Sequence, residues 1–469
     1  DGARGARRAA RGAVVSAIDL SRPCRVHVVG IGGAGMSAIA AVLVAMGHVV
    51  TGSDLKGGTA VERLRSIGVE VTVGHDASNL PEADAVACST AIPAGNPEVV
   101  EARRRGLPVL SRAEVLASIA GLRRCVAVSG THGKTTTSSM LSLVLVDAAM
   151  RPSFLVGGDV NQIGTNAVWD AGDWIVVEAD ESDGTFLALS PEVALVTSIE
   201  PDHLDHYGTF ESLERAFAEF LSGATAGSVL CADDPVARRL APPGALTYGF
   251  AEDARVRVTG FTGGRSDISF TLVRDGEPLG ELALPVPGAH NASNAAGAVA
   301  AASLVGAGFD AARRALSRFA GVARRFEFRG EARGVTFVDD YAHLPGEVAA
   351  TLAAARRGGW RRVVCVFQPH RYSRVAALAA DFADSFLDAD VVVLAGVYPA
   401  GEAPRPGVSS KLVLDALLDA HPTTRAAYLP ERSELVAYLR RILEPGDCCL
   451  TLGAGDLTTL PDELVAELS

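Results

Sequence analysis

The chain has 469 residues, 48% of them apolar and 21% charged, which suits a soluble protein of two to four domains. A net charge of −12 argues against a nucleic-acid partner, and no apolar run approaches the roughly 18 residues of a membrane helix. Seven cysteines without a C-x-x-C fit buried free thiols in a reducing cytoplasm rather than a disulfide frame.

Residues 1–22 carry five Arg and no adequate apolar stretch. They are expected to be a disordered leader or a vector-derived remnant rather than a secretory signal. A first domain is expected over residues 23–119. Its strand, Arg25–Val29, runs into Gly30-Ile31-Gly32-Gly33-Ala34-Gly35, a literal G-x-G-x-x-G, and then a helix over 36–46. A second strand, 48–52, ends at Ser53-Asp54. On its own this fingerprint points to an NAD-dependent enzyme, although the same glycine turn serves any phosphate or pyrophosphate. Further strands are expected at 69–73, 85–88 and 109–110, with a helix over 96–105. Ser89-Thr90 follows a strand, where open α/β sheets bind ligands.

A middle domain is expected over 120–321. The apolar run Cys125–Val128 enters Gly130-Thr131-His132-Gly133-Lys134-Thr135-Thr136, and a helix over 137–149 leaves it. Strand, glycine turn, Lys-Thr and helix form a phosphate cradle: backbone N–H groups face the anion, Lys neutralises it and Thr reaches Mg²⁺. The full pattern wants Gly at 128, where Val128 stands. The chain holds only three Lys among 43 basic residues, Lys56, Lys134 and Lys411, so a Lys here is no accident of composition. A strand over 153–156 precedes a polar loop, 157–166, which contains Asn161 and Gly164. The strand 174–177 ends in Glu178-Ala179-Asp180-Glu181-Ser182-Asp183. Four clustered carboxylates call for a cation, and Mg²⁺ favours one or two of them plus phosphate oxygens and waters. A strand over 193–197 leads to Glu200-Pro201-Asp202-His203. Residues 245–285 read as a small β-rich insertion, and His290-Asn291 opens an Ala-rich helix where the pair either caps the helix or reaches a nucleotide base.

The last domain, 322–469, is expected to be a further α/β sheet. Its strands 335–338, 363–367, 391–394 and 448–452 lead into polar clusters, and helices are expected over 375–387 and 431–443. The clusters hold Asp340-Tyr341-Ala342-His343 and His370-Arg371-Tyr372-Ser373-Arg374.

In order, these pieces resemble the Mur ligases over about residues 24–456, most closely the branch that adds the first amino acid. The resemblance implies three domains: a Rossmann-like UDP-sugar domain, a central P-loop ATPase domain of mostly parallel sheet, and a Rossmann-like C-terminal ligase domain. It implies ATP-driven joining of L-alanine to the lactyl carboxylate of UDP-N-acetylmuramate through an acyl phosphate, in cytoplasmic peptidoglycan synthesis, by a monomer or weak homodimer. The runner-up is a recycling ligase that attaches a tripeptide to the same UDP-sugar. By residue-by-residue match, Gly130 to Thr136, Asn291, Arg325 and Asp340 would bind ATP. Gly32, Gly33, Gly35, Asp54, Ser89, Thr90, Asn161 and Gly164 would bind the UDP-sugar. Thr135 and Glu178 would ligate one Mg²⁺ and His203 a second. Tyr341, His370, Arg371 and Arg374 would meet the amino acid, with Lys134, His203, His343 and Arg374 catalytic. The family usually reads His-His-Pro-Thr-Glu where this chain has His343-Leu344-Pro345-Gly346-Glu347. Sibling ligases use a carbamylated Lys in the middle domain; no Lys lies between 134 and 411 here, as in the alanine-adding branch.

Overall fold

The computed structural model describes residues 18–468. It divides into two compact units. The first holds the described residues to Asp159, Gly164–Thr247 and Gly297–Ala312. The second holds Val160–Ile163, Tyr248–Ala296 and Arg313 onward. The expected leader lies mostly outside the described residues, but Leu20, assigned to it, is buried in the core of the first unit.

The first unit begins with β1 (Arg25–Val29), α1 (Ala34–Ala45), β2 (Val49–Asp54), α2 (Thr59–Ser66), β3 (Glu70–Val73), β4 (Ala85–Cys88), α3 (Pro97–Arg104), β5 (Val109–Ser111) and α4 (Arg112–Ala120). The five strands form a parallel sheet in the order β3-β2-β1-β4-β5. The order reverses between β1 and β4, so the glycine turn after β1 and the Ser89-Thr90 turn after β4 open at one switch point. Helices α2 and α4 were not expected; both are short, and α2 buries only Val61 and Leu64.

Then come β6 (Arg124–Ser129), α5 (Lys134–Asp147), β7 (Ser153–Val160), β8 (Thr165–Val168), β9 (Trp174–Glu178), β10 (Val193–Val196), α6 (Phe210–Ser222) and β11 (Gly227–Cys231). Strand β6 lies between β9 and β10, in parallel with both. Three neighbouring strand ends therefore put the cradle, the acidic loop and the His203 loop side by side. Cys125 to Val128 are almost wholly buried, as a central parallel strand covered on both faces requires. One apolar cluster runs from Val28 and Ile39 through Ala127 and Ile175 to Phe217, so the two sheets of this unit share a core. The expected polar loop at 157–166 is a pair of neighbouring strands, β7 and β8, joined by a turn. Helix α5 starts at Lys134, three residues before its expected start.

In the second unit, β12 (Leu246–Gly249, from Tyr248) pairs in parallel with β13 (Val256–Gly263). Antiparallel β14 (Ile268–Arg274) and β15 (Glu277–Leu284) complete the expected β-rich insertion. Helix α7 (Ala289–Leu304) follows. Later elements include β16 (Glu327–Ala332), β17 (Val335–Asp340), α8 (Pro345–Arg357), β18 (Arg362–Phe367), α9 (Tyr372–Leu378), β19 (Val391–Leu394), β20 (Ala426–Tyr428), α10 (Arg432–Ile442), β21 (Asp447–Leu452) and α11 (Leu460–Leu468). They build a sheet in the order β16-β17-β21-β18-β19-β20. Alternate residues of its strands feed two cores, Val338 and Cys365 on one side, Phe337 and Val364 on the other. The helix expected over 375–387 ends at Leu378 and passes into a 3₁₀ turn, Ala379–Phe382. All seven cysteines are free, five of them buried. Among the described residues, no helix is long and apolar enough to cross a membrane.

Candidate active site

The cradle is set by backbone geometry. Thr131 N–H donates to the Ser198 carbonyl at 2.8 Å and His132 N–H to Ser198 Oγ at 3.0 Å. These bonds tie the turn to the strand end of β10. Gly133, at φ +78°, precedes α5 without capping it, so the first turn keeps backbone donors for an anion. Gly130 has φ +126°, and a Cβ there would sit 2.2 Å from Thr197 Oγ1 and 2.8 Å from the Ser198 carbonyl oxygen. Gly130→Ala is therefore expected to weaken ATP-analogue binding about tenfold or more, read by calorimetry on protein with an unchanged circular dichroism spectrum. Unaltered affinity would show that the turn tolerates the shift.

Lys134 Nζ donates to the Gly130 carbonyl at 2.6 Å and to Glu181 Oε1 at 2.7 Å. Burial alone would lower the Lys134 pKa; Glu181 and Asp180 beside it outweigh that and raise it. Thr135 Oγ1 donates to Glu178 Oε1 at 3.0 Å, and Gly157 N–H to Glu178 Oε2 at 2.6 Å. Burial pushes the Glu178 carboxyl up, against Lys134 and those two donors. A half-buried carboxylate beside a hydroxyl, at the mouth of a phosphate cradle, fits Mg²⁺, which takes few protein ligands. Among the described residues no three His, Cys, Asp or Glu side chains converge on one metal position. The rest of such a cation's shell would come from phosphate and water.

His203 was expected to ligate a second Mg²⁺, apart from the Thr135–Glu178 ion. Its Nε2 lies 3.2 Å from Asp202 and 4.0 Å from Glu181, the partner of Lys134. Glu181 is the residue that sequence reasoning missed: only 2% exposed, it links Lys134 to the His203 loop. Tyr207 holds its backbone carbonyl at 2.6 Å. Which of four neighbouring carboxylates faces the cradle depends on how the loop turns, so spacing alone carried no signal for it.

At the other sheet of this unit, Asp54 Oδ2 accepts the Gly32 N–H at 2.8 Å. Asp54, expected at the UDP-sugar, braces the glycine turn. Gly30 and Ile31 donate their N–H groups to the Ser53 carbonyl. Gly33 precedes α1 without a side-chain cap, leaving first-turn donors there too. Ser89 packs against Gly30 and donates its N–H to Val29, whereas Thr90 is exposed. Gly164, at φ +72°, lies in the turn between β7 and β8.

In the second unit, Asn161 Nδ2 donates to the Ala320 carbonyl at 2.9 Å. Asn291, inside the first turn of α7, donates Nδ2 to the Pro287 carbonyl at 2.7 Å and accepts from Asn294 Nδ2 at 3.4 Å. Asp340, expected at the nucleotide, is buried. Its two oxygens accept the Phe326 and Ala342 N–H groups, each at 2.7 Å, so it shapes the chain around Arg325. Burial, only partly offset by Arg325, brings its pKa to about 6. Arg325 and Arg324 both lie over the Tyr341 ring, at 5.2 and 4.9 Å. The expected polar residues do gather. The His343 ring lies 5.4 Å from Tyr341 and 5.8 Å from His370. His370 stacks on Tyr398, and Arg374 Nη1 lies 3.1 Å from His370 Nδ1. Burial, then His343 and the neighbouring Arg374 and Arg371, lower the His370 pKa to about 3, so its ring is neutral. Arg371 sits at φ +66°, its N–H on the Tyr398 carbonyl. Leu344 is buried at the start of α8, where Glu347 accepts the His343 and Leu344 N–H groups.

Glycine turn, lysine, hydroxyl and half-buried carboxylate together define a phosphate-binding α/β protein of the nucleotide-using kind. Family models described as the Mur ligase catalytic domain, middle domain and glutamate ligase domain match residues 25–124, 128–302 and 324–455. The chain belongs to the Mur ligase family. It is 46% identical to the UDP-N-acetylmuramate–L-alanine ligase of Anaeromyxobacter sp. (strain Fw109-5) over 453 residues, 96% of this chain and 98% of that protein. The enzyme of the same description from Pelobacter propionicus is 44% identical over 95% of this chain and 98% of its own length. Among solved structures, the UDP-N-acetylmuramate–alanine ligase of Thermotoga maritima superposes with TM-score 0.81 at 29% identity, over 95% of this chain and 99% of that one. A murein peptide ligase from Psychrobacter arcticus shares the fold, with TM-score 0.68 at 24% identity, over 95% and 98%.

Proposed function

We propose that this chain uses ATP to join L-alanine to the lactyl carboxylate of UDP-N-acetylmuramate, giving UDP-N-acetylmuramoyl-L-alanine, ADP and phosphate in the cytoplasmic stage of peptidoglycan synthesis. The observation that carries this is the Lys134 cradle with its Thr135–Glu178 pair, in a chain 46% identical to an alanine-adding ligase over nearly its whole length.

A carboxylate does not acylate an amine unaided, because its oxygen is a poor leaving group. A lactyl carboxylate oxygen attacks the γ-phosphorus, and the bond to the β–γ bridging oxygen breaks with its electron pair leaving on ADP. The alanine amine then attacks the acyl carbon, and the tetrahedral species collapses by expelling inorganic phosphate. Its proton passes to a neighbouring base or to solvent. Catalysis here is charge neutralisation and positioning. Lys134 and the first-turn N–H groups of α5 hold the β- and γ-phosphates. Thr135 and Glu178 would hold Mg²⁺, which supplies further neutralisation when bound. His203, beside Glu181, is assigned to the reacting end. On the resemblance, Gly32, Gly33, Gly35 and Ser89 are assigned to the UDP-sugar. Arg325 is assigned to the nucleotide, with Asp340 orienting it through the Phe326 amide. Tyr341, His343, His370, Arg371 and Arg374 are assigned to the acyl end and the alanine carboxylate, where Arg offers bidentate recognition.

ADP release with UDP-N-acetylmuramate is expected to require L-alanine and to run at least about 100-fold slower with the tripeptide in its place, the scale of a mispositioned acceptor. Equal or faster turnover with the tripeptide would assign the chain to the recycling branch.

A further inference from the structure

The proposed reaction does not use Arg112, the first residue of α4. This helix opens with a capping box, in which Ser111 and Glu114 satisfy each other's backbone N–H groups, so the position of Arg112 is well determined. Its Nη2 donates to Asp180 Oδ2 at 2.9 Å and to Asp183 Oδ2 at 3.0 Å, with Thr185 Oγ1 at 3.5 Å. Those two aspartates flank Glu181, which holds Lys134. The other side of the same side chain lies on the glycine turn. A Cβ on Gly35 would be 3.2 Å from Arg112 Nη1 and 3.3 Å from its Cδ. Gly35 is in the first turn of α1, where the UDP-sugar is assigned. One guanidinium, 21% exposed, therefore touches both substrate loops at once.

We propose that Arg112 is a positioning residue that couples the two loops, so that filling the phosphate cradle raises affinity at the glycine turn, and the reverse. A nucleotide that draws Lys134 toward its phosphates alters the Lys134–Glu181 pair. The loop carrying Glu181 is held by Arg112 through Asp180 and Asp183, and the same side chain bears on α1. Linkage then requires the effect to be equal in both directions. The inference rests on the ligase reading above for the identity of the two ligands.

The test is calorimetry of UDP-N-acetylmuramate binding with and without a non-hydrolysable ATP analogue and Mg²⁺. Wild-type protein is expected to bind the sugar nucleotide about tenfold tighter with the analogue present. In Arg112→Ala that factor is expected to fall below twofold, while the affinity for each ligand alone changes less than about threefold. Arg112→Lys keeps the charge, but its single ammonium has no second nitrogen to reach Gly35 as Arg112 Nη1 does while the first holds the aspartates, so it should also lose most of the coupling. Asp183→Asn removes one arm from the opposite side and is expected to weaken the coupling even if Arg112→Ala fails to fold. Coupling that persists in folded Arg112→Ala, or in Asp183→Asn, overturns the proposal. So does a wild-type protein that binds both ligands with no mutual effect, which leaves the ligase reading intact. A wild-type protein that binds neither ligand removes both.

Discussion

Lys134→Ala will lower ADP release by about 10³-fold or more, the range for removing a charge that meets a developing anion in a dry site. The ammonium is held at the cradle by the Gly130 carbonyl and by Glu181, from which an arriving phosphate would draw it. The substitution also leaves Glu181, 2% exposed, without its cation, and a lone buried carboxylate is destabilising. Loss of activity could then be mistaken for loss of fold. The double variant Lys134→Ala with Glu181→Gln removes both charges. It should melt closer to wild type than the single variant does and still release no ADP. A single variant whose rate stays within threefold of wild type would refute the role given to Lys134.

The second large effect concerns stability. Glu98, at the start of α3, is fully buried and accepts from His27 Nε2 at 2.8 Å, Ser53 Oγ at 2.6 Å and His75 Nδ1 at 2.9 Å. Burial pushes this carboxyl up, but those three donors hold it at about 2, below the ordinary value of 4.5. A depressed pKa in the folded state means that the unfolded chain binds the proton first as pH falls. The stabilisation is therefore complete above about pH 4.5 and is lost between there and about pH 2. Glu98→Ala strands three buried polar groups and is expected to cost about 3 kcal/mol in urea unfolding at neutral pH. Glu98→Gln keeps the shape and should flatten the acid limb between those two values. Ser53 also carries the Gly30 and Ile31 amides on its carbonyl, so the alanine variant should raise KM for UDP-N-acetylmuramate more than KM for ATP. An acid limb unchanged in the glutamine variant would assign that limb to other groups.

How legible each part was from sequence follows from how local its cause is. Buried parallel strands are continuous apolar runs, so Cys125–Val128 and Val391–Leu394 could be read directly. The end of β7 and the whole of β8 could not, because β8 is half exposed throughout and opens on the polar pair Thr165-Asn166. The run 375–387 has a helical pattern of Ala and Phe, yet the chain tightens after Leu378. The cradle was legible because its donors are consecutive amides. Partners chosen by tertiary geometry were not: Glu181 for Lys134, the Gly32 amide for Asp54, the Phe326 and Ala342 amides for Asp340. In each case the residue was named, and, Ala342 apart, its neighbour lay well along the chain.

The contact at Gly35 bears on how such patterns are catalogued. The last glycine of a G-x-G-x-x-G is usually explained by a helix crossing a strand. Here its missing methyl makes room for an arginine that belongs to another helix and answers to an acidic loop. The spelling certifies only that something comes close, and is silent on what does. A text search for redox enzymes would collect this protein on three letters, one of which is there to seat an arginine and has no connection with hydride transfer.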